Sequence, residues 1–112
     1  MTTWIVLAIA VVVLWYLLFR LGRISGEQAR RLLAGGARLV DVRTPQEFEA
    51  GHLAGALNIP VDELDHRMDL LGPKSAAVIL YCASGSRSAA AARLLRAAGW
   101  TAIHDLGSMS RW

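Results

Sequence analysis

Apolar and polar residues change their spacing several times along the chain, and each change predicts an element. Residues 4–19 (WIVLAIAVVVLWYLLF) hold no polar side chain, so a helix here has no face set apart for water. After Gly22, a short polar stretch with Ser25 and Gln28 three residues apart forms a capping box, predicting a helix that runs through ARRLLA and stops at Gly35-Gly36. RLVDV (38–42) reads as a short buried strand. Thr44-Pro45-Gln46-Glu47 is a second capping box with proline at the first helical position, so a short helix ends near Gly51. Residues 56–59 suit another short strand, closed by Pro60. VDELDHRMDLL is amphipathic, with Val61, Leu64, Met68 and Leu71 on one face, and predicts a helix over 61–71. AAVILYC (76–82) is an unbroken apolar run of the kind found in a central strand covered on both faces. A glycine-containing loop over 84–88, a helix over 89–98, a strand over 101–106 and a terminal turn complete the chain. Helix and strand alternate, which predicts an α/β domain with a small, mostly parallel sheet flanked by helices.

Composition changes the picture at the N-terminus. The 112 residues are 54% hydrophobic and 19% charged. Residues 22–112 alone are roughly 47% hydrophobic, an ordinary value for a globular domain, so the excess lies in the first segment. Residues 3–21 as a helix rise about 28 Å, against a hydrocarbon core of roughly 30 Å, with Trp4 at one end and Trp15 and Tyr16 near the other, the depths that aromatic residues favour. A cleaved leader needs a basic start and a small-x-small site, and neither is present around this run. The expectation is therefore a retained transmembrane helix, with residues 1–23 as anchor and juxtamembrane arginines and residues 24–112 as the head, in contact with membrane lipid through residues 3–21.

Charge supplies a direction. Lys and Arg are absent before the run, while Arg20, Arg23, Arg30 and Arg31 follow it. The positive-inside rule then places the head in the cytoplasm, as a single-pass inner or plasma membrane protein. The net charge of +3, from 12 basic and 9 acidic residues, is not a nucleic-acid footprint, because arginines and acids alternate and form no stripe.

The lone cysteine, Cys82, can build neither an internal disulfide nor a cysteine-rich zinc site. Its neighbours argue against a mere core thiol. It ends the central strand, where open α/β sheets place their ligand crevices. Ala83, Ser84, Gly85 and Ser86 are small enough for successive backbone N–H groups to turn inward as an anion nest. A helix N-terminus follows, and Arg87 adds a positive charge. All three favour negative charge at the sulfur, the condition for a nucleophile beside an anion site.

The run YCASGSRSAAAARLLRAAGW resembles the active-site loop and following helix of rhodanese-type sulfurtransferases. LVDVRTPQEFEAGHLAGALNIPVDEL resembles their first strand, short helix and Gly-His segment, and HDLGSMSRW their terminal Gly–Trp turn. The resemblance covers about residues 24–112. It implies that Cys82 attacks the outer sulfur of thiosulfate or a protein persulfide, carries a persulfide held by loop N–H groups, and passes the sulfur to cyanide or a thiol acceptor. No metal or organic cofactor is implied. Substrate contacts would fall on Ala83, Ser84, Gly85, Ser86 and Arg87. Asp41 and Arg43, an Asp-x-Arg pair at the end of the first strand, would brace the loop.

The chain departs from the family pattern at Ala83, where many members carry a basic residue, and at Ser108, where the terminal turn usually has a second glycine. The first departure weakens the pull on a dianionic donor and keeps a second reading open: an anchored binding or scaffold module with little turnover. Phosphatase or arsenate reductase chemistry is the remaining alternative. The related cell-cycle phosphatases place five residues between Cys and Arg to encircle a phosphate; here four separate Cys82 from Arg87. Of the histidines, His52 reads as structural, His66 as solvent-facing and His104 as packed in its strand.

Overall fold

The structure is a computed structural model that describes residues 2–112; of Phe19, Arg20 and Leu21 only the backbone is described. Helix α1 spans Thr2–Leu21 and α2 spans Gly26–Ala34. They are followed by β1 (Arg38–Asp41), α3 (Pro45–Ala50), β2 (Leu57–Asn58), two 3₁₀ helices (Val61–His66 and Met68–Leu71) and β3 (Val78–Cys82). Helix α4 (Ser86–Ala97), β4 (Ile103–Ser108) and a last 3₁₀ turn (Met109–Arg111) complete it.

Both capping boxes form. Ser25 Oγ accepts from Gln28 N at 3.1 Å while Gln28 Oε1 accepts from Ser25 N at 2.8 Å, and Thr44 and Glu47 repeat the exchange at the start of α3. Each box satisfies two of the N–H groups that a helix start leaves open.

All strand pairs are parallel, in the order β2-β1-β3-β4. The chain therefore builds outward from β1 to β2, then returns to the other side of β1 for β3 and β4. The strand order reverses between β1 and β3, and the crevice outside their C-terminal ends is the natural ligand site of such a sheet. Alternation along β3 divides the core. Val78, Leu80 and Cys82 face α4 and the first 3₁₀ helix, together with Leu64, Leu71, Ala91, Leu95 and Trp100. Ile79 and Tyr81 face the opposite layer of α2 and the C-terminal turn, with Ala29, Leu32, Leu33 and Trp112. All five β3 residues are buried, as the unbroken apolar run required.

Three expectations are corrected. The amphipathic stretch over 61–71 is two 3₁₀ helices, not one α-helix: Glu63, Arg67 and Leu70 each donate to the carbonyl three residues back. Pro60 starts the stretch and Arg67, at φ −128°, breaks it. The apolar face survives, with Leu64 and Leu71 fully buried, because a period of three still puts such residues on one side. Second, α4 begins at Ser86, three residues earlier than the small-residue run suggested, so Arg87 and Ser88 lie in its first turn.

The third correction concerns the N-terminus. Among the described residues, no helix is long and apolar enough to cross a membrane. The expected transmembrane helix, the contact with lipid through residues 3–21 and the single-pass localisation with a cytoplasmic head are overturned by this finding. α1 is helical and its apolar side chains, such as Trp4 and Trp15, are exposed. The charge of Arg20, on which the orientation partly rested, lies outside the described residues.

Candidate active site

Cys82 is the last residue of β3, and strand alternation points its side chain into the layer that holds α4. Its sulfur is fully buried at the N-terminus of that helix. Sγ accepts from Gly85 N at 2.9 Å and from Ser88 N at 3.4 Å, with Ser88 Oγ 3.7 Å away. The N-cap residue of α4 is Gly85, which has no side chain to accept a helix N–H. An N-cap oxygen ordinarily accepts from the third helical residue. Here that residue is Ser88, and the cysteine sulfur takes the place of the missing oxygen. Gly85 makes this possible. Its φ is +103°, in the left-handed region that L side chains avoid, and this turn aims its own N–H back at the sulfur.

The loop is held from several directions. The Ser88 hydroxyl donates to Gly85 O at 3.1 Å. Ser108 donates from Oγ to Ala83 O at 2.6 Å. Ala83, Ser84 and Ser86 are exposed at the rim. Of the five residues expected to meet substrate, Gly85 thus touches the sulfur directly, while Ala83, Ser84 and Ser86 lie on the exposed side of the loop.

Arg87 is directed elsewhere. Its guanidinium makes a two-pronged pair with Glu47 of α3, Nη1 to Oε1 at 2.6 Å and Nη2 to Oε2 at 3.0 Å. The pair is about one-third exposed. The hydrogen bond from Arg87 holds the Glu47 carboxyl down to about 2, with Thr44 and the Arg87 charge helping, and Glu47 in turn raises Arg87. Glu47 therefore closes the α3 capping box and ties α3 to the loop helix.

Asp41 and Arg43 lie at the end of β1, on the other side of the crevice. Arg43 donates from Nε to both Asp41 oxygens (3.1 and 3.0 Å) and from Nη2 to Oδ2 (2.7 Å), and both residues are buried. Nη2 also donates to Gly51 O at 2.6 Å, tying the end of α3 to the sheet. Asp41 raises Arg43 through this hydrogen bonding. The guanidinium lies 5.9 Å from the Tyr81 ring centroid. Burial raises the Tyr81 phenol to about 12, and its oxygen accepts from Leu53 N at 3.1 Å. A buried pair whose Nε and Nη2 are both used is suited to holding shape.

The histidines stand apart from the sulfur. His52 stacks on Phe48 at 3.6 Å between centroids, with Nδ1 2.8 Å from Phe48 O. His66 is exposed beside Asp65. His104 in β4 is lowered by burial and by the nearby Arg96 charge. Among the described residues, no three His, Cys, Asp or Glu side chains are grouped to hold a metal ion.

A buried thiol that accepts two backbone N–H groups at a helix start can stabilise an anion on sulfur, or on a sulfur attached to it. Residues 25–112 match the family model for the rhodanese-like domain. The chain belongs to the rhodanese family. It is 37% identical over 102 residues to thiosulfate sulfurtransferase 16 of Arabidopsis thaliana, covering 80% of this chain and 84% of that one. It is 34% identical over 104 residues to the human thiosulfate:glutathione sulfurtransferase, covering 80% and 90%. YqhL of Bacillus subtilis is 44% identical over 77 residues, and there the match spans 68% of this chain but only 60% of the relative. Among solved structures, a human single-domain sulfurtransferase superposes with a TM-score of 0.70 at 33% identity, over 80% of this chain and 93% of that one. The rhodanese fold thus accounts for the parallel sheet with helices on both faces, and the family is one of sulfurtransferases.

Three residues of the site escaped the sequence reading: Ser88, Glu47 as the partner of Arg87, and Arg23, which reaches the loop from before α2 (Nη2 to Gly85 O, 3.4 Å). Ser88 carried a local signal, a polar residue entering an alanine-rich helix six positions after the cysteine. Glu47 was visible only as a cap, and Arg23 only as one basic residue after an apolar run.

Proposed function

We propose that residues 24–112 of this chain form a sulfurtransferase that works through a persulfide on Cys82. The observation that carries this reading is the pair of N–H groups, from Gly85 and Ser88, directed at one buried sulfur. The Cys82 thiolate attacks the outer, sulfane sulfur of the donor. A new S–S bond forms, the donor's own S–S bond breaks, and the leaving group departs with that electron pair, as sulfite if the donor is thiosulfate. The persulfide's terminal sulfur carries the negative charge, and backbone N–H groups of the loop over residues 83–86 are expected to receive it. An acceptor thiolate then attacks that terminal sulfur and Cys82 leaves as thiolate, so that cyanide in the same role gives thiocyanate. Neither half-reaction needs a metal or an outside oxidant.

The donor preference follows from charge. No charged side chain stands between residues 83 and 86, and Arg87 is neutralised by Glu47. Attraction at the rim rests on backbone N–H groups and the helix dipole, which suits a persulfide or thiosulfonate of low charge better than a dianion. Incubation of the purified protein with each donor, followed by intact mass measurement, tests this. The expected result is one added sulfur on Cys82, fastest with the singly charged donors and absent in Cys82→Ser. A folded protein that takes up no sulfur from any donor would reduce the domain to a binding module.

A further inference from the structure

Arg23 lies outside the run that carries the chemistry, yet its side chain ends against that run. Its backbone makes a parallel bridge with Asp105 of β4, and the next residue, Ile24, donates from N to Asp105 O at 2.9 Å. This fixes the Arg23 Cα beside the last strand. From there the side chain passes Gly107 and reaches Gly85. A Cβ built on Gly107 would lie 3.0 Å from Arg23 Cδ and 3.1 Å from Nη1. One built on Gly85 would lie 2.6 Å from Nη2, 2.8 Å from Cζ and 2.9 Å from Nη1. The guanidinium thus fills a slot that exists only because two glycines, one in the loop after β3 and one in β4, lack side chains. Both glycines are also in the left-handed region, at φ +86° and +103°.

Gly85 is the residue on which the cradle turns. Its N–H points at Cys82 Sγ, while its carbonyl receives the Ser88 hydroxyl at 3.1 Å and Arg23 Nη2 at 3.4 Å. The second distance is long for a hydrogen bond, so Arg23 acts chiefly as a flat, charged plate against the Gly85 backbone. A plate there opposes rotation of Gly85 out of the conformation that aims its N–H at sulfur. The same plate places a fixed positive charge behind the loop.

We propose that Arg23 is a positioning residue of the sulfur cradle: it holds the Gly85 peptide in place and favours negative charge on Cys82 and on the sulfur it carries. This rests on the persulfide reading for its purpose but not for its geometry. Other charged groups stand nearby. Arg87 of α4 is paired with Glu47 of α3, Asp41 with Arg43 at the end of β1, and Asp105 of β4 accepts from Gly107 N at 2.9 Å. Arg93 and Arg96 of α4 and the Asp105 carboxylate line a groove of ≈ 170 Å³ together with Arg23. Arg23 is the cation in contact with the Gly85 backbone.

The test uses Arg23→Gln and Arg23→Lys in the full chain, with two readouts that need no sulfur transfer. One is the rate at which a small alkylating reagent modifies Cys82 at neutral pH. The other is the Gly85 amide proton resonance, which reports its hydrogen bond to sulfur. Arg23→Gln is expected to slow alkylation about tenfold and to move the Gly85 resonance. Arg23→Lys, which keeps the charge but not the plate, is expected to slow alkylation about two- to threefold and also to move the resonance. A Gln variant that is folded, alkylates within twofold of wild type and leaves the resonance in place overturns the proposal. If the Gln variant does not fold, the Lys variant decides in the same way: an unmoved resonance and an unchanged rate overturn it. Sulfur uptake is measured alongside. A wild type that takes up no sulfur, with both readouts shifted in the variants, removes the persulfide reading and leaves the positioning role standing.

Discussion

Glu47 serves two structures at once. Its carboxylate completes the capping box of α3 and accepts both prongs of Arg87, so the residue that starts one helix also anchors the first turn of another. Its carboxyl is held down to about 2, chiefly by the hydrogen bond from Arg87. A carboxylate with a lowered folded value stabilises fully above its ordinary value near 4.5 and loses that contribution as pH falls toward about 2. Glu47→Gln is therefore expected to be less stable than wild type by a constant amount between about pH 5 and 8, with the gap closing below that range. Urea unfolding of both proteins at several pH values checks this; a gap that widens in acid would contradict the pairing. The cysteine and its small neighbours were legible from residue types in one short stretch. Glu47 and Arg23 were not, because they lie 40 and 62 residues from the groups they meet. Local patterns predict neighbours on a helix or strand, not partners brought in by the sheet.

At the scale of elements, the starts of helices were the best-marked features. Two capping boxes, one with Pro45 at the first helical position, are short-range hydrogen-bond arrangements that the sequence spells out. The start of α4 was harder to place because its cap is a sulfur from the preceding strand, and no rule of composition marks Cys82 as a helix cap. The 3₁₀ pair over 61–71 was read as an α-helix because apolar spacings of three and four fit either form over so short a span. β4 carries a further tie. Its last residue, Ser108, donates to Ala83 O and accepts from Ser110 N at 3.2 Å. Ser108→Ala removes these contacts and the one with Ser110 Oγ at 2.8 Å, and is expected to cost about 1 kcal/mol, lowering the thermal midpoint by several degrees. Calorimetry measures the shift. An unchanged midpoint would mean that the loop keeps its position without this hydroxyl.

The whole molecule is longer than a packed chain of its size. Its radius of gyration is 15.7 Å and its long axis 53 Å, where a compact chain of this length has a radius near 13 Å. The difference is α1, whose described side chains remain exposed, Trp4 at 76%. A helix that buries so little against the head adds little to its stability. Removal of residues 2–21 is expected to leave the thermal midpoint of the remainder within about 2 °C, measured by circular dichroism. A large fall would show that α1 is part of the packed structure.

The parallel order β2-β1-β3-β4 also sets a sequence in time. No two neighbouring strands are joined by a tight turn, so each pairing must close a long loop before it gains anything. The contacts that hold the cradle from outside also span long stretches of chain: Glu47 with Arg87, Ala83 with Ser108, and Arg23 with Gly85. The last of them needs β4 in place beside β3, because Arg23 is seated on Asp105 of β4. During refolding, helix content should therefore return before Arg23 closes on Gly85, and a change in thiol reactivity at that step becomes a chemical marker of the last stage of assembly.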